Sequence, residues 1–112
     1  MKKRTSKSSR TMIICNNYTQ EEIAGLKKAA KDGNSKAMYD LYLWLTETAE
    51  DLFEELEAAY WLNLSAGAGY ADAEQDLAER YATGENVRKD ADKARYWRNR
   101  SRSHRMATVV AA

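Results

Sequence analysis

The sequence predicts an all-α fold, an αα-hairpin solenoid of about five helices. Three observations predict it. The 112 residues contain no proline, the residue that most strongly breaks helices. No stretch shows the strict two-residue alternation of a half-buried strand. Residues 26–61 repeat as residues 62–97 at an offset of 36. Leu26 falls on Leu62, Ala30 on Ala66, Gly33 on Gly69, Ala37 on Ala73, Asp40 on Asp76 and Leu41 on Leu77. Ala58 falls on Ala94, Tyr60 on Tyr96 and Trp61 on Trp97. Nearly all of these are small, apolar or aromatic, the types that packing constrains.

Each repeat reads as two helices. Thr19-Gln20-Glu21-Glu22 has the form of a capping box, in which hydroxyl and carboxylate satisfy first-turn amides. The helix it opens runs to about Asp32 and stops at Gly33, a left-handed cap. A second helix starts near Ser35, with Ala37, Met38, Leu41, Tyr42 and Leu45 at spacings of three and four. A third spans Asp51 to Ala66, with Leu52, Leu56, Ala59, Tyr60 and Leu64 on one side, and ends in Gly67-Ala68-Gly69. A fourth runs from Ala71 to Ala82, closed by Gly84. The last opens at Asp90 as N-cap, carries Ala94, Tyr96 and Trp97, and dissolves into Arg98–Arg105. Short connections force neighbouring helices antiparallel. Ala37/Ala73 and Ala58/Ala94 mark the crossings where two helices approach closely.

Composition narrows the function. Apolar residues are 44% and charged residues 31%, as in a folded globular domain. A chain of this length buries about two-thirds of its unfolded surface, enough for one core. No apolar run approaches the roughly 20 residues of a membrane span. The basic start is followed only by Met12-Ile13-Ile14-Cys15, too short for a secretory signal, so cytoplasm is the expected location. One cysteine, Cys15, excludes an internal disulfide or a multi-thiolate metal site. One histidine, His104, has no second imidazole with which to share a metal, and it reads as a surface residue. There is no glycine-rich phosphate loop and no recognisable catalytic frame. The expectation is a non-enzyme with no catalytic, cofactor-binding or metal-binding residue.

The second repeat carries a more specific pattern. Ala73-x-x-x-Leu77, Tyr81-x-x-Gly84, Gly84-Glu85-Asn86-Val87-Arg88-Lys89-Asp90 and Lys93-Ala94-x-x-Trp97 together resemble the Sel-one-like repeat, a relative of the tetratricopeptide repeat. Ala78 replaces that family's glycine after Leu77, and Asn86 replaces its second loop glycine. Asparagine is the next-best residue for positive φ, so the loop should survive. In the first repeat the loop signature is gone, with Thr48 in place of Gly84, which predicts a remodelled turn. The resemblance implies a tetratricopeptide-like superhelix over residues 19–105, with units 26–61 and 62–97. It is flanked by a basic tail, 1–18, and a short C-terminal tail, 106–112. It also implies a scaffold for protein–protein contact with no catalysis of its own.

Charge is segregated along the chain. Residues 1–10 carry five positive charges (Lys2, Lys3, Arg4, Lys7, Arg10) and no negative one. Residues 47–57 carry six negatives (Glu47, Glu50, Asp51, Glu54, Glu55, Glu57) and no positive. Residues 88–105 carry eight positives against Asp90 and Asp92. The acidic block is either a solvated helix N-terminus, where carboxylates suit the dipole, or a contact surface. The recurring pairs Tyr60/Trp61 and Tyr96/Trp97 read as packing.

Two functions compete. One is a non-enzymatic module that binds another protein, as adaptor, scaffold or inhibitor, in its concave groove. The other is an electrostatic binder of nucleic acid or another polyanion through the basic termini; nucleic acid is disfavoured because no base-stacking aromatics accompany the charges. Self-association stays open, since terminal repeats leave core-like faces uncovered. The resemblance implies that the first helix of each hairpin lines the groove. Beside the core face Ala37, Leu41 and Leu45 lie Lys36, Tyr39, Leu43 and Glu47, and in the second hairpin Gln75 and Glu79. Tyr39 and Leu43 either anchor the partner there or cover the flanking first helix.

Overall fold

The computed structural model describes residues 18–111, with side chains as far as Ala107. Lys2, Lys3, Arg4, Lys7, Arg10 and Cys15 lie outside the described residues. Among those described there are five helices and no strand: α1 (Gln20–Lys31), α2 (Ser35–Thr48), α3 (Leu52–Gly67), α4 (Ala71–Thr83) and α5 (Ala91–Ala111). The chain divides into two compact units, and the division falls within α3, after Leu62.

Local chemistry sets the helix ends. The Thr19 hydroxyl accepts from the Glu22 amide at 3.1 Å, and the Glu22 carboxylate accepts from the Thr19 amide at 2.9 Å. This is the capping box that the sequence predicts. Gly33 follows α1 at φ +102, and the Asn34 side chain then caps α2 by accepting from the Ala37 amide at 2.9 Å. The turn after α2 is indeed remodelled. Ala49 is extended, and Asp51 and Glu54 form a second reciprocal cap: Asp51 accepts from the Glu54 amide, and Glu54 accepts from the Glu50 amide. Part of the acidic block thus opens α3, where carboxylates offset the unpaired first-turn amides.

In the second unit Gly84 closes α4 at φ +82. Asn86 has φ +62, the only non-glycine residue with positive φ among those described. Asp90 caps α5 by accepting from the Asp92 and Lys93 amides, both at 3.0 Å. One expectation fails here. The last helix does not dissolve in the arginine run but continues to Ala111.

In the first unit α1 packs on α2, burying Ile23 and Ala30 of one and Ala37, Met38, Leu41 and Leu45 of the other. In the second, α4 packs on α5, with Ala73, Leu77, Ala78 and Ala94 buried. Alanine at these positions lets the helices approach closely while keeping high helix propensity.

Candidate interaction surface

The largest departure from the sequence reading is α3. Its row Leu52, Leu56, Tyr60 and Leu64 faces solvent, at 68%, 59%, 56% and 38% exposure, and Phe53 beside it is 78% exposed. The buried side is instead Ala58, Trp61, Leu62, Ser65 and Ala66. At 100° per residue, Leu52, Phe53, Leu56 and Tyr60 cover an arc of about 100°, the width a surface helix normally turns to a core. A helix that is apolar all round is ordinarily buried all round. Here one of its two apolar faces is already in the core and the other is open. In the second repeat the corresponding positions are Arg88, Lys89, Asp92 and Tyr96, so the repeat's own packing does not call for this apolar surface.

Acidic residues frame the open face. Glu57 sits beyond its Phe53 edge and Glu55 beyond its Leu52 edge, and Glu50 and Asp51 stand exposed at its N-terminal end. Tyr60 lies edge-on to Trp61, with ring centroids 5.1 Å apart, and Tyr96 and Trp97 repeat that geometry at 5.1 Å. Recurrence therefore marks packing at the tryptophan of each pair, while Tyr60 and Tyr96 are more than half exposed.

The groove residues expected on the first helices fare differently. Tyr39 and Leu43 are each 4% exposed, so a partner reaches them only by opening the packing of the chain. Tyr39 leans on Tyr42 at 5.7 Å between ring centroids. Lys36 is exposed and pairs with Asp40 at 2.9 Å. Glu47 is half-buried; its Oε1, like Thr46 Oγ1 and Trp61 Nε1, is buried without a hydrogen-bond partner among the described residues. Gln75 and Glu79 are neighbours on α4, 3.5 Å apart.

The second unit holds a polar cluster that the sequence reading missed. Glu74 on α4 is fully buried. Its Oε2 accepts from Arg100 Nε at 3.1 Å, and its Oε1 lies 2.8 Å from His104 Nδ1. Alongside, the Ser101 hydroxyl donates to the Ala71 carbonyl at 2.9 Å, and Arg105 pairs with Asp72 at 2.9 Å. The hydrogen bond to Glu74 holds the Arg100 guanidinium above the ordinary arginine pKa, so the group stays charged. His104, expected as a bare surface residue, is thus a structural partner. The available signal was spacing: Arg100 and His104 stand four apart on one helical face, and Glu74 interrupts an apolar one.

The basic block is partly neutralised by this folding. Arg95 pairs with Asp92, Arg100 with Glu74 and Arg105 with Asp72, while Lys93 lies 5.4 Å over the Tyr81 ring. Among the described residues no group of three His, Cys, Asp or Glu could hold a metal ion, and no helix is long and apolar enough to cross a membrane.

No protein-family model matches the chain, and no curated protein does. Among solved structures the chain is similar to the crystal structure of a Sel1 repeat protein from Oxalobacter formigenes, with a TM-score of 0.69 at 21% sequence identity. The match takes in 90% of this chain and 31% of that one. The pattern from Ala73 to Trp97, the 36-residue period and this likeness converge on one architecture. The chain has the all-α helical fold of a Sel1 repeat protein.

Proposed function

We propose that the chain is a non-catalytic module, an adaptor, scaffold or inhibitor acting in the cytoplasm, and that it binds another protein through the open face of α3. One observation carries this reading: Leu52, Phe53, Leu56 and Tyr60 are each more than half exposed on a helix whose opposite face is already in the core. An apolar patch on the order of a few hundred Å² on a monomer is the size that marks a contact site. Covering it stabilises a complex, since a leucine or phenylalanine gains about 1.5–3 kcal/mol on full burial. A contact on the first helices of the hairpins is a second element of the proposal. There Lys36, Gln75 and Glu79 would supply polar contacts, with Tyr39, Leu43 and the inner part of Glu47 supporting them from beneath.

The test is a comparative pull-down from the native host. Parent chain, a Phe53→Ser/Leu56→Ser variant and a Lys36→Ala/Glu79→Ala variant are used as baits after their melts have been shown to match. Proteins retained by the parent and lost by the Phe53→Ser/Leu56→Ser bait support the open face as the contact. If both variants retain every protein that the parent does, neither surface is the site. Against the polyanion reading, Arg95, Arg100 and Arg105 of the basic block are paired with carboxylates of the chain itself.

A further inference from the structure

We propose that the occupant of the open α3 face is a basic amphipathic helix of a partner protein. This rests on the preceding reading that the face is a docking surface, and it adds the chemistry of what docks. The face is apolar along its centre and acidic around it, with Glu55 and Glu57 beyond its two edges and Glu50 and Asp51 at its N-terminal end. An occupant must bring apolar side chains to the middle and lysine or arginine to the edges.

Secondary structure follows from the same face. The backbone amides and carbonyls inside a helix are already paired, so α3 offers nothing for an added β-strand to bond to. The occupant has to satisfy its own backbone, and a helix does that. Leu52, Leu56 and Tyr60 span roughly 12 Å along the axis at 1.5 Å per residue, so two to three turns of a partner helix cover them. Its anchors would recur at three- and four-residue spacing.

Charge and apolar content also decide against other occupants. Pairing this face with itself in a second copy sets Glu57 and Glu55 against their own kind. Among the residues whose side chains are described, the α5 surface of a second copy is basic but exposes only Tyr96 and Met106 as large apolar residues, with Asn99, Arg102 and Ser103 between them. Phosphate-bearing surfaces, nucleic acid or anionic lipid, are repelled by the carboxylate rim.

The experiment uses the full chain and two synthetic peptides of about five helical turns. One carries leucine on one face and lysine on the other; its counterpart has glutamate in place of every lysine. Binding is read by fluorescence anisotropy of labelled peptide. The lysine peptide is expected to bind at least tenfold more tightly than the glutamate peptide. It should lose tenfold or more against Phe53→Ser/Leu56→Ser, which removes apolar surface without changing charge, and several-fold against Glu57→Lys. Equal binding of the two peptides, or equal binding of the lysine peptide to parent and serine variant, overturns the proposal. Light scattering separates this from the broader reading. If the parent self-associates, the serine variant is monomeric and no peptide binds, a second copy occupies the face; the occupant proposed here falls and the docking surface stands.

Discussion

Removing Arg100 should cost far more stability than removing the glutamate it binds. Glu74 has no solvent exposure, whereas the Arg100 and His104 side chains are 35% and 41% exposed. Arg100→Leu strands a buried carboxylate with His104 as its remaining hydrogen-bond partner. Breaking a buried pair in this way costs about 3–5 kcal/mol, and the lower end applies because His104 stays. Glu74→Met leaves two side chains that can turn to water, so its cost should stay near 1 kcal/mol. At the 36-residue offset the first repeat has Met38 and Leu64 in these two places. The double variant Glu74→Met/Arg100→Leu puts the first repeat's apolar residue types in both places. It should come within about 1 kcal/mol of the parent, or exceed it, as replaced buried ion pairs often do. The coupling energy between the sites is then about 3–4 kcal/mol. Urea unfolding followed by far-ultraviolet circular dichroism at neutral pH measures all four proteins. Neutral pH reports the whole pair. The raised pKa of Arg100 keeps its contribution intact at and below the ordinary arginine value, and it is lost only at more alkaline pH. An Arg100→Leu variant no weaker than a surface substitution, or a double variant equal to the sum of the singles, refutes the reasoning.

Asn86→Ala should cost about 1 kcal/mol, because alanine resists the left-handed backbone at φ +62, while Asn86→Gly should be neutral within a few tenths; both are read as urea midpoints. Tyr39→Ala and Leu43→Ala should each lower stability by about 2–5 kcal/mol, as cavities left at nearly closed positions, whereas Lys36→Ala should stay within about 0.5 kcal/mol of the parent. Parallel thermal melts decide it; a Tyr39→Ala protein as stable as Lys36→Ala would show that the tyrosine contributes no packing.

The hairpin fold was legible because its determinants recur. Ala37/Ala73 and Ala58/Ala94 must be small wherever two helices meet, and Gly33 and Gly69 recur at left-handed positions, φ +102 and +96. Asn86 was legible for a related reason, since few residues tolerate its backbone. The face of α3 was not. Periodicity finds a face only when its opposite is polar, and α3 carries apolar residues on both. Leu52, Leu56, Tyr60 and Leu64 form the more regular row, yet the buried residues include Ala58 and Trp61, both shared with the next repeat, while Tyr60, shared as well, stays exposed. For Glu74 the sequence carried only half the signal: its place on an apolar face marks it as interior but does not name its partners. Its partners lie 26 and 30 residues away, where only the fold brings them close.

The Glu74 cluster also limits how the second hairpin can be assembled. Arg100 and His104 reach one carboxylate from successive turns of α5, so only one alignment of α5 along α4 satisfies all three groups. A slip of one turn, about 5.4 Å, would leave Glu74 without its arginine. Apolar side chains tolerate such sliding better, because one leucine packs against another at many offsets. The variant that swaps the cluster for methionine and leucine therefore separates two properties that the parent combines. It should keep its melting point, yet show broader side-chain resonances along α5, the sign of a helix that no longer settles on a single register.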